Sequence, residues 1–151
     1  MSTSTDTPRF STLEEVDARA LLARNRVGRI AFSFRDRVDI QPIHFVYDGD
    51  WLFGRTEVGA KLASLTHQPW CALEVDEVHD LFHWDSVVVR GSFRMLDPEN
   101  GSTALYERAL AKLRKLVPGS FTSHDPVPQR AILFAIRVDE ISGRSARCPH
   151  D

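Results

Sequence analysis

Five stretches of this 151-residue chain alternate apolar and polar side chains with a period of two, and this pattern limits the possible folds more than any other feature. The clearest is residues 85–95, where Val87, Val89, Gly91 and Phe93 oppose Val88, Arg90, Ser92 and Arg94. Successive side chains of a strand point to opposite faces, so such a run describes a strand with one buried side. The others are Ile30, Phe32 and Phe34; residues 38–47 with Ile43, Phe45 and Tyr47; residues 70–78 with Cys71, Leu73 and Val75; and residues 130–138 with Ile132, Phe134, Ile136 and Val138. Residues 51–56 read as a sixth strand because they return from a hairpin signal. Arg35-Asp36-Arg37 and Asp48-Gly49-Asp50 are too short to connect anything but antiparallel neighbours.

Helical spacing appears in three places. Thr12-x-x-Glu15 matches a capping box, and Leu13, Val16, Ala20 and Ala23 supply a stripe, which predicts a helix over residues 12–25. Residues 59–65 are short and helix-prone, with Leu62 and Leu65 three apart and Pro69 beyond. Asp97-Pro98 resembles a helix start, and Leu105, Ala109, Leu113 and Leu116 stripe a second long helix. Pro118, Gly119, Pro126 and Pro128 mark a loop before the last strand. Together these predict a mainly β fold: a six-stranded antiparallel barrel with peripheral helices, in which closure removes exposed edges. The expected organisation is a disordered lead over residues 1–11, one domain over 12–144 and a tail over 145–151.

A formal charge of -2 offers no global field for nucleic acid or an anionic membrane, so any bound anion needs a local cluster. No segment approaches the roughly 20 apolar residues of a membrane span. The polar first ten residues lack a signal-peptide core, so a cytoplasmic location is expected. Cys71 and Cys148 form no metal or disulfide pattern; Cys71 reads as a buried thiol.

The densest polar cluster is Arg55-Thr56-Glu57-Val58-Gly59-Ala60-Lys61, where a strand ends and a short helix opens. A guanidinium, an ammonium, a hydroxyl and free helix-start amides suit a phosphate; the alternative is a solvated surface turn. A Walker-type loop is excluded because Ala60 stands where its lysine belongs and no Ser or Thr follows Lys61. The second informative stretch is residues 41–49. Pro42 cannot donate to a ladder, so its strand is irregular or at an edge, with main-chain groups free to meet a planar ring; an ordinary edge strand is the alternative.

Residues 27–32, 41–49, 53–56 with 59–62, 84–91 and 139–144, in that order, resemble the pyridoxamine 5'-phosphate oxidase-like split barrels that bind FMN, in particular the small nitroimidazole-resistance-type members. The similarity spans residues 12–145. It implies a homodimer with FMN at the subunit interface and a flavin-dependent oxidoreductase acting on a small molecule. Arg55 and Lys61 are then implied to hold the FMN phosphate, assisted by Thr56 and the Ala60 amide. Pro42, Ile43, His44 and Phe45 are implied to meet the isoalloxazine edge. Trp84 is implied to pack near the cofactor or at the dimer seam. Ser86 falls where the oxidases carry a flavin-contacting glutamine, Ala60 replaces a common serine, and His44 stands where close relatives often have asparagine. The oxidases' substrate-phosphate residues find no match here. On the same fold, a deazaflavin coenzyme is the alternative ligand, with Arg35, Arg37, Arg90 and Arg94 as further basic candidates; a flavin or haem carrier or sensor is the non-enzymatic alternative.

His79 and His83 have metal-ligand spacing but lie in an expected loop with no third ligand, so no metal site is expected. His44 is the one candidate haem ligand. Hydrolase motifs are missing.

Overall fold

The computed structural model describes residues 7–99 and 103–149. Its elements in chain order are β1 (Arg9–Thr12), α1 (Glu15–Arg24), β2 (Val27–Phe34), β3 (Arg37–His44), β4 (Val46–Asp48), β5 (Trp51–Thr56), α2 (Ala60–His67), β6 (Trp70–Asp80), β7 (His83–Met95), α3 (Thr103–Leu116) and β8 (Ile132–Arg147). Seven strands lie in the order β3-β2-β6-β7-β8-β5-β4, all antiparallel, and β1 pairs with β8.

The two edge strands of this path, β3 and β4, are consecutive in the chain. At Phe45 the chain leaves one edge and joins the other, its amide bonded to the Arg26 carbonyl at 2.9 Å and its ring fully buried. That step curls the sheet into a barrel, and among the described residues no ladder joins β3 to β5, so the barrel stays split there.

Eight strands replace the expected six for two reasons. The run 38–47 is broken at Phe45 into β3 and β4. Residues 9–11, expected within a disordered lead, and Thr12, expected to open the first helix, pair with residues 144–147, so β8 continues through what was expected to be a tail. Residues 1–6 and 150–151 of that lead and tail lie outside the described residues. Residues 78–83 are not a loop either, because β6 and β7 continue to a hairpin at Leu81 and Phe82.

The capping box does not form: Thr12 belongs to β1, and Glu14 precedes α1 without a side-chain cap. The buried stripe of α1 is Ala18, Leu21 and Leu22, each fully buried, whereas Val16 is 75% exposed. The helix therefore turns a different arc inward than the predicted one. In α3 the expected Ala109 and Leu113 are buried. Asp97 bonds the Glu99 amide at 2.9 Å, making a turn ahead of α3.

Two cores result. Ile30, Phe32, Phe45, Leu73, Val75, Val87, Val89, Phe134 and Ile136 fill the barrel with Leu21 and Leu22 of α1. Phe53, Leu96, Leu133 and Ala135 meet Ala109 and Leu113 of α3 on the outer side. Residues 133–136 of β8 are thus buried on both faces. No helix among the described residues is long and apolar enough to cross a membrane.

Candidate functional site

A cleft of about 550 Å³ opens at the split. One wall is residues 41–44 of β3 with Val27; the other is the end of β5, residues 57–59, the start of α2 and Arg130. Strand β3 has β2 on one side only, so half its main-chain groups point away from any strand partner. Helix α2 begins at Ala60, and its first backbone bond runs from the Ala63 amide to the Gly59 carbonyl at 3.1 Å. The amides of Ala60, Lys61 and Leu62 therefore lack intrahelical acceptors and carry the positive end of the helix dipole. Thr56 is 5% exposed, and among the described residues its hydroxyl makes one long bond, 3.5 Å, to the Glu57 carbonyl.

Of the ten residues expected at the site, seven line this cleft: Pro42, Ile43, His44, Arg55, Thr56, Ala60 and Lys61. Phe45 is placed in the barrel core with its amide already bonded. Trp84 and Ser86 lie on β7, away from the cleft within one chain. The Trp84 ring is 6.3 Å from that of Phe10, and the Ser86 hydroxyl donates to Glu74 at 3.0 Å.

The two expected cations differ in their surroundings. Arg55 is a paired residue with a 7% exposed side chain. Its Nη1 and Nη2 donate to the two carboxylate oxygens of Asp125 at 3.1 and 2.6 Å, Nη2 also to the Val127 carbonyl at 3.2 Å, and Nε to the Arg130 carbonyl at 2.8 Å. Asp125 in turn accepts the amides of Phe121 and Val127, and the Arg55 guanidinium holds its carboxyl well below the usual carboxylate range. Lys61 forms no ion pair with the described residues. Burial, then the charge of Arg130, lower its pKa against the pull of Glu57.

Arg130 is a cleft residue that sequence reasoning missed. It lines the cleft, and its Nη1 stands 3.5 Å from His44 Nδ1 with no carboxylate paired to it among the described residues. Lys61 and Arg130 repel each other across the cleft, Glu57 on the same lining offsets only part of that cost, and a bound anion relieves more of it. His79 and His83 stack at 4.8 Å between ring centres, and no group of three metal-ligating side chains occurs among the described residues.

Comparisons with known proteins place this architecture. An uncharacterised protein of Rhizobium meliloti is 27% identical over 140 residues, covering 86% of this chain and 91% of that one. The crystal structure of an FAD-binding protein from Mesorhizobium loti superposes with a TM-score of 0.74 at 25% identity, covering 91% of this chain and 99% of the other. That of a candidate 5-nitroimidazole antibiotic resistance protein from Bacteroides thetaiotaomicron gives 0.74 at 14% identity, covering 93% and 89%. The sequence profile described as pyridoxamine 5'-phosphate oxidase matches residues 14–145, and with the split barrel it shows that the chain belongs to the pyridoxamine 5'-phosphate oxidase family.

Proposed function

We propose that the cleft binds a flavin through its ribityl phosphate, with FMN as the ligand, and that the protein is an oxidoreductase passing electrons from reduced flavin to a small acceptor. The observation that carries this reading is the meeting of Lys61, Arg130, Thr56 and the α2 amides in one cleft walled by an edge strand. A phosphate monoester carries close to two negative charges at neutral pH and matches a cleft lined by two cations. The pyrophosphate of FAD spreads its charge over two phosphorus atoms and brings an adenosine needing more wall. FAD is nevertheless the ligand named for the Mesorhizobium loti relative, and it is the comparison ligand of choice.

The donor set fits the group. Residues 41–44 offer main-chain edges to the ring, and the apolar flanks of Val27, Ile43 and Val58 shield its faces. The flavin, when bound, supplies hydride and single-electron chemistry; this chain's residues bind it, orient it and hold positive charge beside it. A deazaflavin coenzyme is the second reading. The non-enzymatic alternative, a flavin or haem carrier, predicts bound cofactor without turnover.

Phe45 is outside this reading because its amide is already used. Trp84 and Ser86 enter it through a homodimer, in which a second copy brings β7 to the cleft. Val27, Val38 and Ile40 are 50%, 75% and 61% exposed around β2 and β3, an apolar surface suited to such a contact. Sedimentation equilibrium is expected to give twice the 17.1 kDa of one chain; a monomer at micromolar concentration removes the dimer and the role of Trp84.

Protein purified from cells is expected to be yellow, to release FMN on denaturation, and to lose most of its colour on Lys61→Ala. Colourless protein that ignores added FMN, FAD and deazaflavin alike overturns the reading.

A further inference from the structure

We propose that Arg130, and not Arg55, is the arginine that grips the ligand's phosphate, and that Arg55 acts one step removed by docking the loop that delivers Arg130. The inference rests on the flavin reading above and assigns the phosphate contact within it.

Arg55 is already committed. Its bonds to Asp125, Val127 and Arg130 occupy four of the five N–H groups of a guanidinium, and the Phe121 ring lies under it at 4.2 Å. The paired carboxylate is 3% exposed and is itself satisfied by two backbone amides. An arriving phosphate meets a neutralised pair there, and to recruit Arg55 it would have to strand Asp125, a buried carboxylate.

The loop is built around this contact. Phe121 sits at φ 62°, a left-handed conformation unfavourable for a bulky residue, where its amide reaches Asp125 and its ring reaches Arg55. The Arg55 Nε holds the carbonyl of Arg130 itself, and the Arg130 amide bonds the Val127 carbonyl at 3.0 Å. The backbone of Arg130 is therefore fixed by Arg55, while its guanidinium, 3.5 Å from His44 Nδ1, lines the same cleft as Lys61. Arg55 is a positioning residue and Arg130 a binding residue.

The opposite arrangement, in which Asp125 merely holds Arg55 until phosphate displaces it, predicts the reverse sign for one variant, so a titration decides. Fluorescence quenching of FMN and of riboflavin, which lacks the phosphate, is measured on the full-length wild type, Arg130→Ala, Arg130→Lys, Asp125→Asn and the Asp125→Asn/Arg130→Ala double variant. Arg130→Ala is expected to weaken FMN about tenfold or more and leave riboflavin unchanged, as for the loss of a charge-assisted contact. Arg130→Lys is expected to restore part of the FMN affinity. Asp125→Asn is expected to weaken FMN selectively, and the double variant to bind no worse than Arg130→Ala, because Asp125 works through Arg130. Arg130→Ala leaves the Arg55–Asp125 pair and the Arg130 carbonyl in place, so it keeps the test open if Asp125→Asn fails to fold. FMN binding unchanged in Arg130→Ala, or tightened in Asp125→Asn, overturns the proposal while leaving the flavin reading intact. A wild type that binds none of FMN, FAD and a deazaflavin removes both.

Discussion

Cys71 and Cys148 show how far one side chain's chemistry is set by its place. Cys71 points into the barrel, 8% exposed, and burial, with a smaller contribution from Asp139, pushes its thiol up to about 12. The thiolate is the reactive form, so at pH 8 Cys71 is inert, whereas Cys148 is partly exposed beyond β8. Maleimide treatment of native protein is expected to modify Cys148 alone, with a second label only after denaturation; rapid double labelling of native protein contradicts the buried assignment. The inward position of Cys71 was legible from its alternation with Leu73 and Val75. The cleft residues were legible for a related reason. Arg55, Thr56, Ala60 and Lys61 are neighbours in sequence, and a strand end running into a helix start is a local event. Arg130 was not legible, because its place depends on Arg55 holding it across 75 positions and on Asp125 across 70. Arg55 was recognised as a cation, but its carboxylate partner sits in a proline-punctuated loop that carries no periodicity.

At the level of elements, the ladder between β7 and β8 contains one irregularity, where Arg90 faces Glu140 but Gly91 faces Val138. Asp139 is the extra residue of a bulge. A Cβ built on Gly91 would run into the carbonyl oxygen of Arg137, which is backbone and has no room to yield. Gly91→Ala is therefore expected to destabilise the fold by about 3 kcal/mol, in the range of severe core substitutions. Urea titration checks this, and a midpoint within error of the wild type excludes the close approach. Strand β7 was readable in advance because its two faces differ in chemistry. The second half of β8 was not, since residues 139–147 include Asp139, Glu140, Arg144 and Arg147 and have a mostly exposed or half-buried face. Strand β1 is exposed at all four positions and carries no alternation to read. The break at Phe45 was hidden by the opposite circumstance: Ile43, Phe45 and Tyr47 all pack against the barrel core, so the apolar pattern runs unbroken through a change of sheet edge. Helix α1 was legible in existence but not in phase, because alanines and single aliphatics are spread around most of its circumference.

Across the whole molecule, four carboxylates with lowered pKa values fasten elements to one another, three of them between segments that no ladder joins and the fourth, Asp85, across the β7–β8 ladder. Hydrogen bonds from Arg108 lower Asp48 and tie the β4–β5 hairpin to α3. Bonds from Arg24 lower Glu77 and tie α1 to β6. Those from Arg55 lower Asp125 and fix the loop before β8. At Asp85 burial acts upward, but the bonds from Arg147 and Ser145 prevail and hold the last strand to β7. Each of these groups has a folded pKa below its unfolded value, about 3.9 for Asp and 4.3 for Glu. The stability they contribute is therefore fully present above those values and is lost as pH falls through them toward the folded pKa values. Glu74 acts in the other direction. Burial and then its bond with Asp76 raise it, so protonation relieves part of its cost at mildly acid pH. One carboxylate against four does not reverse the trend, and the gain in positive charge on acidification works the same way as the four. The melting temperature is expected to be nearly flat between pH 6 and 8 and to fall steeply below about pH 4. Asp125→Asn is expected to lower it at pH 7 and to flatten the acid limb, because that variant has already given up the carboxylate whose pKa lies lowest. Thermal scans across pH on wild type and variant check both features, and parallel curves would mean that the Arg55–Asp125 pair does not secure the loop.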